Sequence, residues 1–291
     1  MRSRLGARRR TWQYIAMAHR LACGIRRHWS CSFEVLTNSA DELESSYRAW
    51  RMATRTTESA FLIRQIEFEG GLPASATFHA ATNKIYAFRH FASRAGPSMM
   101  LDLDVICRAP LPGVIIRRID SGSPLVLELT EAIEERISRD LQTLAGCEDL
   151  FRWFGGEFIC GTPSFFDRLY RRVEVMVPTY HALHTQLCHQ GDEMLVSAAL
   201  GAMQQGGEAI CDVSNLGVIQ RQWFIVSNGD QRRLRNPLPC LLHLPSLKGM
   251  LDSRLSDDSI VRISRRVDGL PYWASKKAVR WLNALWMRRL S

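Results

Sequence analysis

Two acids separated by one residue, Asp102 and Asp104, follow the apolar run Ser98-Met99-Met100-Leu101 and precede Val105-Ile106. On a strand, positions i and i+2 face the same side. Two carboxylates held side by side repel each other and lose solvation when partly buried. A divalent cation relieves both costs. Mg²⁺ or Mn²⁺ takes one or two carboxylates and fills its remaining positions with phosphate oxygens and water. The run therefore reads as an apolar strand ending in a metal and phosphate site, since ligands of α/β sheets gather at the carboxyl ends of strands.

The elements that must position these acids alternate. Residues 12–28 have helical periodicity, with Tyr14, Ala18, Leu21, Ala22 and Ile25 near one face. A short strand at 33–37 precedes a helix that opens at Ser39 or Asp41 and runs to about Arg51. Residues 61–68 read as a strand, 77–94 as a helix, and 98–106 as a strand carrying the acid pair. A strand at 123–129 precedes a helix capped by Thr130. A strand at 151–160 leads to a helix from Pro163 to Val177, because proline suits a first helical turn. Asp192 opens a helix through Leu200, and 240–243 reads as a last strand. This alternation predicts an α/β domain with a largely parallel sheet flanked by helices. The reading divides the chain into a basic segment at 1–11, a catalytic domain at 12–250 and a basic tail at 251–291.

The segment PSMMLDLDVICRAPLP resembles the DxD segment of glycosyltransferases with the GT-A fold, a Rossmann-related architecture. Further landmarks follow in the family's order, and the resemblance covers roughly 12–250. It implies a nucleotide-diphosphate sugar donor, a glycan or lipid-linked acceptor, and Mn²⁺ or Mg²⁺. Asp104 would bind the cation and Asp102 the ribose or the cation. Lys84 and Tyr86 fall where such enzymes carry residues near the nucleotide. FRWFGGEFICGTPSFFDRLY (151–170) is similar to the strand and helix near acceptor and sugar, which makes Glu157 a candidate carboxylate. GDEMLVSAAL (191–200) is similar to the acidic helix start that carries a sugar-contacting or catalytic carboxylate, here Asp192. LLHLPSLKG (241–249) resembles the late His…Lys segment, in which His243 completes the metal shell and Lys248 meets the diphosphate. The family's internal glycine is missing there, and the two residues are one position closer. Its first strand would precede the helix near Trp12, and residues 1–11 do not read as a strand.

A second constellation lies at His181, His184, Cys188, His189, Asp192 and Glu193. His181 and His184 can share a helix face and reach one zinc, though the spacing matches no standard zinc motif. Pro178 and Gly191 frame the stretch as a loop with a short helix, suited to covering a bound donor.

Charge is unevenly placed. The chain carries +9, with +8 in residues 1–33 and +7 in residues 262–291, so the body between them is acidic at −6. That argues against a nucleic-acid enzyme with a basic groove and suits basic ends that touch an anionic surface. The stretch 275–291 groups Val279, Leu282, Leu285, Trp286 and Leu290 opposite Lys276, Lys277, Arg280 and Arg288, the pattern of an interfacial helix. It also fits a helix packed on the domain with its charges in water. A cytoplasmic protein, peripheral at the inner face of a membrane, is expected. The Arg-rich, acid-free start superficially resembles a transit peptide. It is a poor secretory signal, because His19 and Arg20 interrupt the apolar run after Trp12. Eight dispersed cysteines with no CxxC pair read as buried free thiols of a reducing compartment. Two other functions fit parts of the pattern: a nucleotidyltransferase on a similar sheet, for which no Gly-rich phosphate loop is visible, and a non-catalytic binder acting through its basic ends.

Overall fold

The computed structural model describes residues 2–68, 81–129, 135–146, 152–223, 237–251, 255–268 and 270–289. The chain forms two compact units. One comprises Met1–Gln65, Asp102–Pro112 and Gly217–Ser291; the other comprises Ile66–Leu101 and Gly113–Leu216.

The first unit opens with α1 (Arg2–His28), so among the described residues no strand precedes this helix. Ile15, Ala18, Ala22 and Ile25 repeat at helical spacing and are buried, while Tyr14 is 51% exposed rather than inside. Ile15, Ala18 and Ala22 pack with Tyr47, Ala60 and Phe61. Met17 packs instead with Ile106, Leu242 and Leu247. Strand β1 (Glu34–Thr37) pairs in parallel with β2 (Leu62–Gln65), and α2 (Ala40–Thr54) lies between them in sequence. Strands β4 (Val105–Cys107), β8 (Ile219–Arg221) and β9 (Leu241–His243) form a sheet in the order β4-β9-β8.

The ending of this unit has more order than the sequence suggested. A 3-10 turn at Pro245–Leu247 runs into the short α8 (Lys248–Leu251), followed by α9 (Asp257–Asp268) and α10 (Tyr272–Arg289). Val279 and Leu282 of α10 pack into the core with Leu247 and Met250. Both members of the proposed interfacial stripe whose side chains the structure describes therefore face inward. Lys277, Arg280 and Trp281 are exposed. Leu285, Trp286, Arg288 and Leu290 lie outside the described side chains. No described helix is long and apolar enough to cross a membrane.

The second unit is built on a sheet ordered β3-β6-β5-β7, with β3 at Ser98–Leu101, β5 at Leu125–Glu128, β6 at Phe154–Gly161 and β7 at Cys211–Asp212. All eight residues of β6 are buried. Helices α3 (Ile85–Ala92), α4 (Gly113–Asp120), α5 (Glu135–Ala145), α6 (Pro163–Leu183) and α7 (Asp192–Gln205) complete it. Thr162 caps α6 by accepting from Phe165 N at 3.3 Å, with Pro163 in the first turn. Pro178 does not end this helix. Its missing N–H forfeits one backbone bond, but Tyr180 beyond it is buried and donates to the Gln190 carbonyl at 2.7 Å. Thr130, proposed as a helix cap, lies outside the described residues.

The α/β class holds, but the sheets are mixed rather than largely parallel. β1-β2, β5-β7 and β8-β9 are parallel; β3-β6, β5-β6 and β4-β9 are antiparallel. The seven described cysteines are free; Cys147 lies outside the described residues. Cys107, Cys160 and Cys240 are buried, and burial pushes their thiols up to about 12. Cys31 and Cys188, by contrast, are exposed.

Gly24 brings α1 against β4: a Cβ there would lie 2.8 Å from the Cys107 carbonyl oxygen and 3.1 Å from its Cβ. Alanine in a helix interior normally gains up to about 1 kcal/mol over glycine. Here the obstruction is backbone, and overpacking of about 1–3 kcal/mol wins. Gly24→Ala is expected to lower the midpoint of thermal unfolding; a raised midpoint would refute the contact.

Candidate functional site

The acid pair sits where the chain changes sheets. β3 pairs with β6 as far as Leu101↔Phe158, and β4 pairs with β9 from Val105↔His243. Residues 102–104 therefore form the break between two short strands, with a turn at 103–104, and not the end of one long strand. The acids converge through this turn instead of through strand alternation.

Antiparallel pairing of β4 with β9 fixes the third member. The backbone N–H of Leu244 donates to the Asp104 carbonyl at 2.9 Å, which holds His243 beside the acids. His243 Nε2 lies 3.1 Å from Asp104 Oδ1 and 3.8 Å from Asp102 Oδ2. Lys248 Nζ lies 3.0 Å from Asp104 Oδ2. Asp104 and His243 side chains are each 4% exposed, Asp102 is 22% exposed and Lys248 48%. Burial disfavours the Asp104 carboxylate, yet His243 and then Lys248 outweigh it and hold the group well below the usual carboxylate range. Burial also works against the Lys248 ammonium, but Asp104, with smaller help from Tyr14 and Asp102, holds it above its ordinary value.

Asp102, Asp104 and His243 each offer a ligand atom, all within 4.8 Å of one another. Two hard carboxylate oxygens with one imidazole nitrogen suit Mn²⁺, and the carboxylates also suit Mg²⁺. Among the described residues no other His, Cys, Asp and Glu side chains converge in this way, so the constellation at 181–193 does not assemble a zinc site. The next strand brings in a residue that sequence reasoning missed. Arg221 is in register with His243, 5% exposed, with its guanidinium over the Trp223 ring at 5.5 Å. A charge inside a three-residue strand gives no sequence signal of burial.

The second unit assembles the other candidates around β6 and the start of α7. Lys84 Nζ lies 3.1 Å from Asp192 Oδ2, the acid being 8% exposed. Asp192 is the first residue of α7, where a carboxylate also complements the helix dipole; Gly191 occupies the cap position. Glu157 is fully buried, and a Cβ on Gly155 would meet its Oε2 at 2.2 Å. Tyr86 is buried, its ring 5.9 Å from that of Phe68. Asp192 and Tyr86 are thus buried and Glu157 fully so, and Asp192 lies against the part-exposed Lys84.

Gly156 explains the GlyGly pair. A Cβ there would lie 2.8 Å from Asp192 Oδ2 and 3.3 Å from Glu193 Cγ, and the backbone N–H of Gly156 donates to Glu193 Oε1 at 3.5 Å. Gly156→Ala is expected to displace Asp192 and destabilise the protein by about 1–3 kcal/mol. Chemical denaturation reads this effect; an unchanged midpoint would show that α7 does not pack against β6 so closely.

Fold and site together define an architecture: the fold is the GT-A glycosyltransferase fold, with a DxD-like Asp-Asp-His group. No family model and no curated protein sequence matches the chain. Among solved structures, the galactosyltransferase LgtC in complex with donor and acceptor sugar analogues matches with a TM-score of 0.55 at 12% identity, over 91% of this chain and 96% of its own. Mouse xyloside xylosyltransferase 1, in its apo form, matches with a TM-score of 0.51 at 8% identity, over 80% and 92%. An active-site mutant of LgtC gives 0.54 at 12% identity, over 80% and 83%. At such identities the likeness is one of fold.

Proposed function

We propose that this chain is a metal-dependent glycosyltransferase that moves a sugar from a nucleoside-diphosphate donor to a glycan or lipid-linked acceptor. The observation that carries the reading is the convergence of Asp102, Asp104 and His243, with Lys248 Nζ 3.0 Å from Asp104, within this fold. Asp102, Asp104 and His243 would hold Mn²⁺ or Mg²⁺. When bound, such a cation supplies Lewis-acid stabilisation of a diphosphate leaving group. Lys248, half exposed, turns its ammonium from Asp104 to the diphosphate as negative charge develops there. Asp192, held by Lys84, takes the sugar or acceptor side as a carboxylate acting on a hydroxyl or near the anomeric carbon. Fully buried Glu157 supports β6 and does not touch substrate. Lys84 and Tyr86 belong to the nucleotide side, Tyr86 through its packing.

Exposed Lys277, Arg280 and Trp281 support contact with an anionic membrane surface, and hence a peripheral position on the cytoplasmic face. Sedimentation with anionic and zwitterionic vesicles tests this: binding to both alike, or to neither, defeats it.

The donor reading is tested by thermal unfolding with Mn²⁺ and a panel of nucleoside diphosphates. A ligand at a hundredfold excess over its Kd stabilises the native state by about 2.7 kcal/mol. The expected result is a Mn²⁺-dependent upward shift with one nucleotide. A folded protein that shifts with none would favour a non-catalytic role carried by the basic ends.

A further inference from the structure

We infer that Asn283, on α10, is a positioning residue that holds the segment carrying Lys248, so that the ammonium reaches Asp104. Its consequence for ligand binding rests on the donor-site reading above.

The 3-10 turn and α8 that carry Lys248 are short, and the backbone bond from Leu244 to the Asp104 carbonyl fixes only where the segment begins. Both flanks are tied by side chains far away in sequence. On one side, Asn283 Nδ2 donates to the Ser246 carbonyl at 2.9 Å. On the other, Arg20 Nε donates to the Leu251 carbonyl at 2.8 Å, and its guanidinium pairs with Asp257 at 2.7 Å. Lys248 lies between these anchors.

Gly249, the next residue, permits the approach. A Cβ there would lie 3.0 Å from Asn283 Oδ1 and 3.6 Å from its Cα. Beneath the polar clamp, Leu247, Met250 and Leu251 share a core with Val279 and Leu282 of α10. Apolar packing sets how near α10 comes, but it is non-directional. The Asn283 amide, with its stricter geometry, sets the register of the segment. Lys248 has a long, flexible side chain, so the placement of its backbone governs how often Nζ meets Asp104.

The first test is amine acylation of the whole protein, read at each lysine by peptide mass spectrometry. Asn283→Ala is expected to raise labelling of Lys248 about three- to tenfold, the worth of one hydrogen bond. Exposed Lys277 serves as the unchanged reference, and Asp104→Ala as the control that frees Lys248 directly. The second test is a double-mutant cycle on binding of manganese pyrophosphate, a probe that carries the diphosphate without any base. Asn283→Ala is expected to weaken binding about three- to tenfold in the wild-type background and not at all in Lys248→Ala, because a residue acting through Lys248 has no effect once Lys248 is gone.

Unchanged Lys248 labelling overturns the proposal, as does equal weakening in both backgrounds. Should Asn283→Ala not fold, Asn283→Asp keeps the size and removes the donor; if neither folds, Asn283 is a residue of general stability and the proposal fails. A wild-type protein that does not bind manganese pyrophosphate would defeat the donor-site reading, while the labelling result still decides the role of Asn283.

Discussion

Under the proposed function, Asp104→Ala is expected to abolish the Mn²⁺-dependent nucleotide shift and to lower sugar transfer by about a thousandfold or more, with the protein still folded. The size follows from the site. Asp104 offers one of three clustered ligand atoms and also pairs with Lys248. Stabilisation of a diphosphate leaving group by a bound cation is worth several kcal/mol, and each ~1.4 kcal/mol is a factor of ten. The fold tolerates the change because Lys248 is 48% exposed and its ammonium can turn to water. Removing the acid therefore leaves no sealed, unpaired lysine. Asp104→Asn keeps the shape and should be nearly as inactive, since the amide is a poorer ligand than a carboxylate. Calorimetric titration with Mn²⁺ and measurement of transfer check both variants. Full activity in Asp104→Asn would exclude a metal role for this residue.

Asp192→Ala separates the two candidate groups. The cation and pyrophosphate are expected to bind with unchanged affinity, because Asp102, Asp104, His243 and Lys248 belong to the other unit. Transfer should fall about a hundred- to ten-thousandfold, the range for loss of a positioned acid or base. Lys84→Ala should produce a smaller loss in the same direction, because it removes the 3.1 Å partner that orients Asp192 without removing the carboxylate. Comparing kcat with pyrophosphate affinity in the two variants is decisive. If Asp192→Ala leaves kcat intact, the acid only shapes the start of α7.

Part of this protein is legible in its sequence, because the relevant physics acts over a few residues. Pro163 announces a helix start, since a fixed φ is a local effect, and α6 begins there. The acids at 102 and 104 announce a metal-suited pair by residue type and closeness in sequence, although they meet through a turn and not through strand alternation. Alternation of apolar segments gives the α/β class.

Other features depended on contacts between distant residues. Asp104 and His243 are 139 positions apart and meet only because β9 pairs with β4. That same pairing, with β3 committed to β6, divides the expected single strand into two and places the acids in the turn. Strand direction was misjudged because β propensity does not distinguish parallel from antiparallel neighbours. Pro178 inside α6 shows tertiary burial of Tyr180 overriding a local helix breaker. Burial also enclosed both candidate carboxylates of the second unit, Glu157 completely and Asp192 against the part-exposed Lys84. By itself the sequence determined which residue types could bind a cation and a diphosphate, and where α6 and α7 would start. Only the tertiary structure decided which of those residues meet, because sheet pairing and desolvation are set by partners far along the chain.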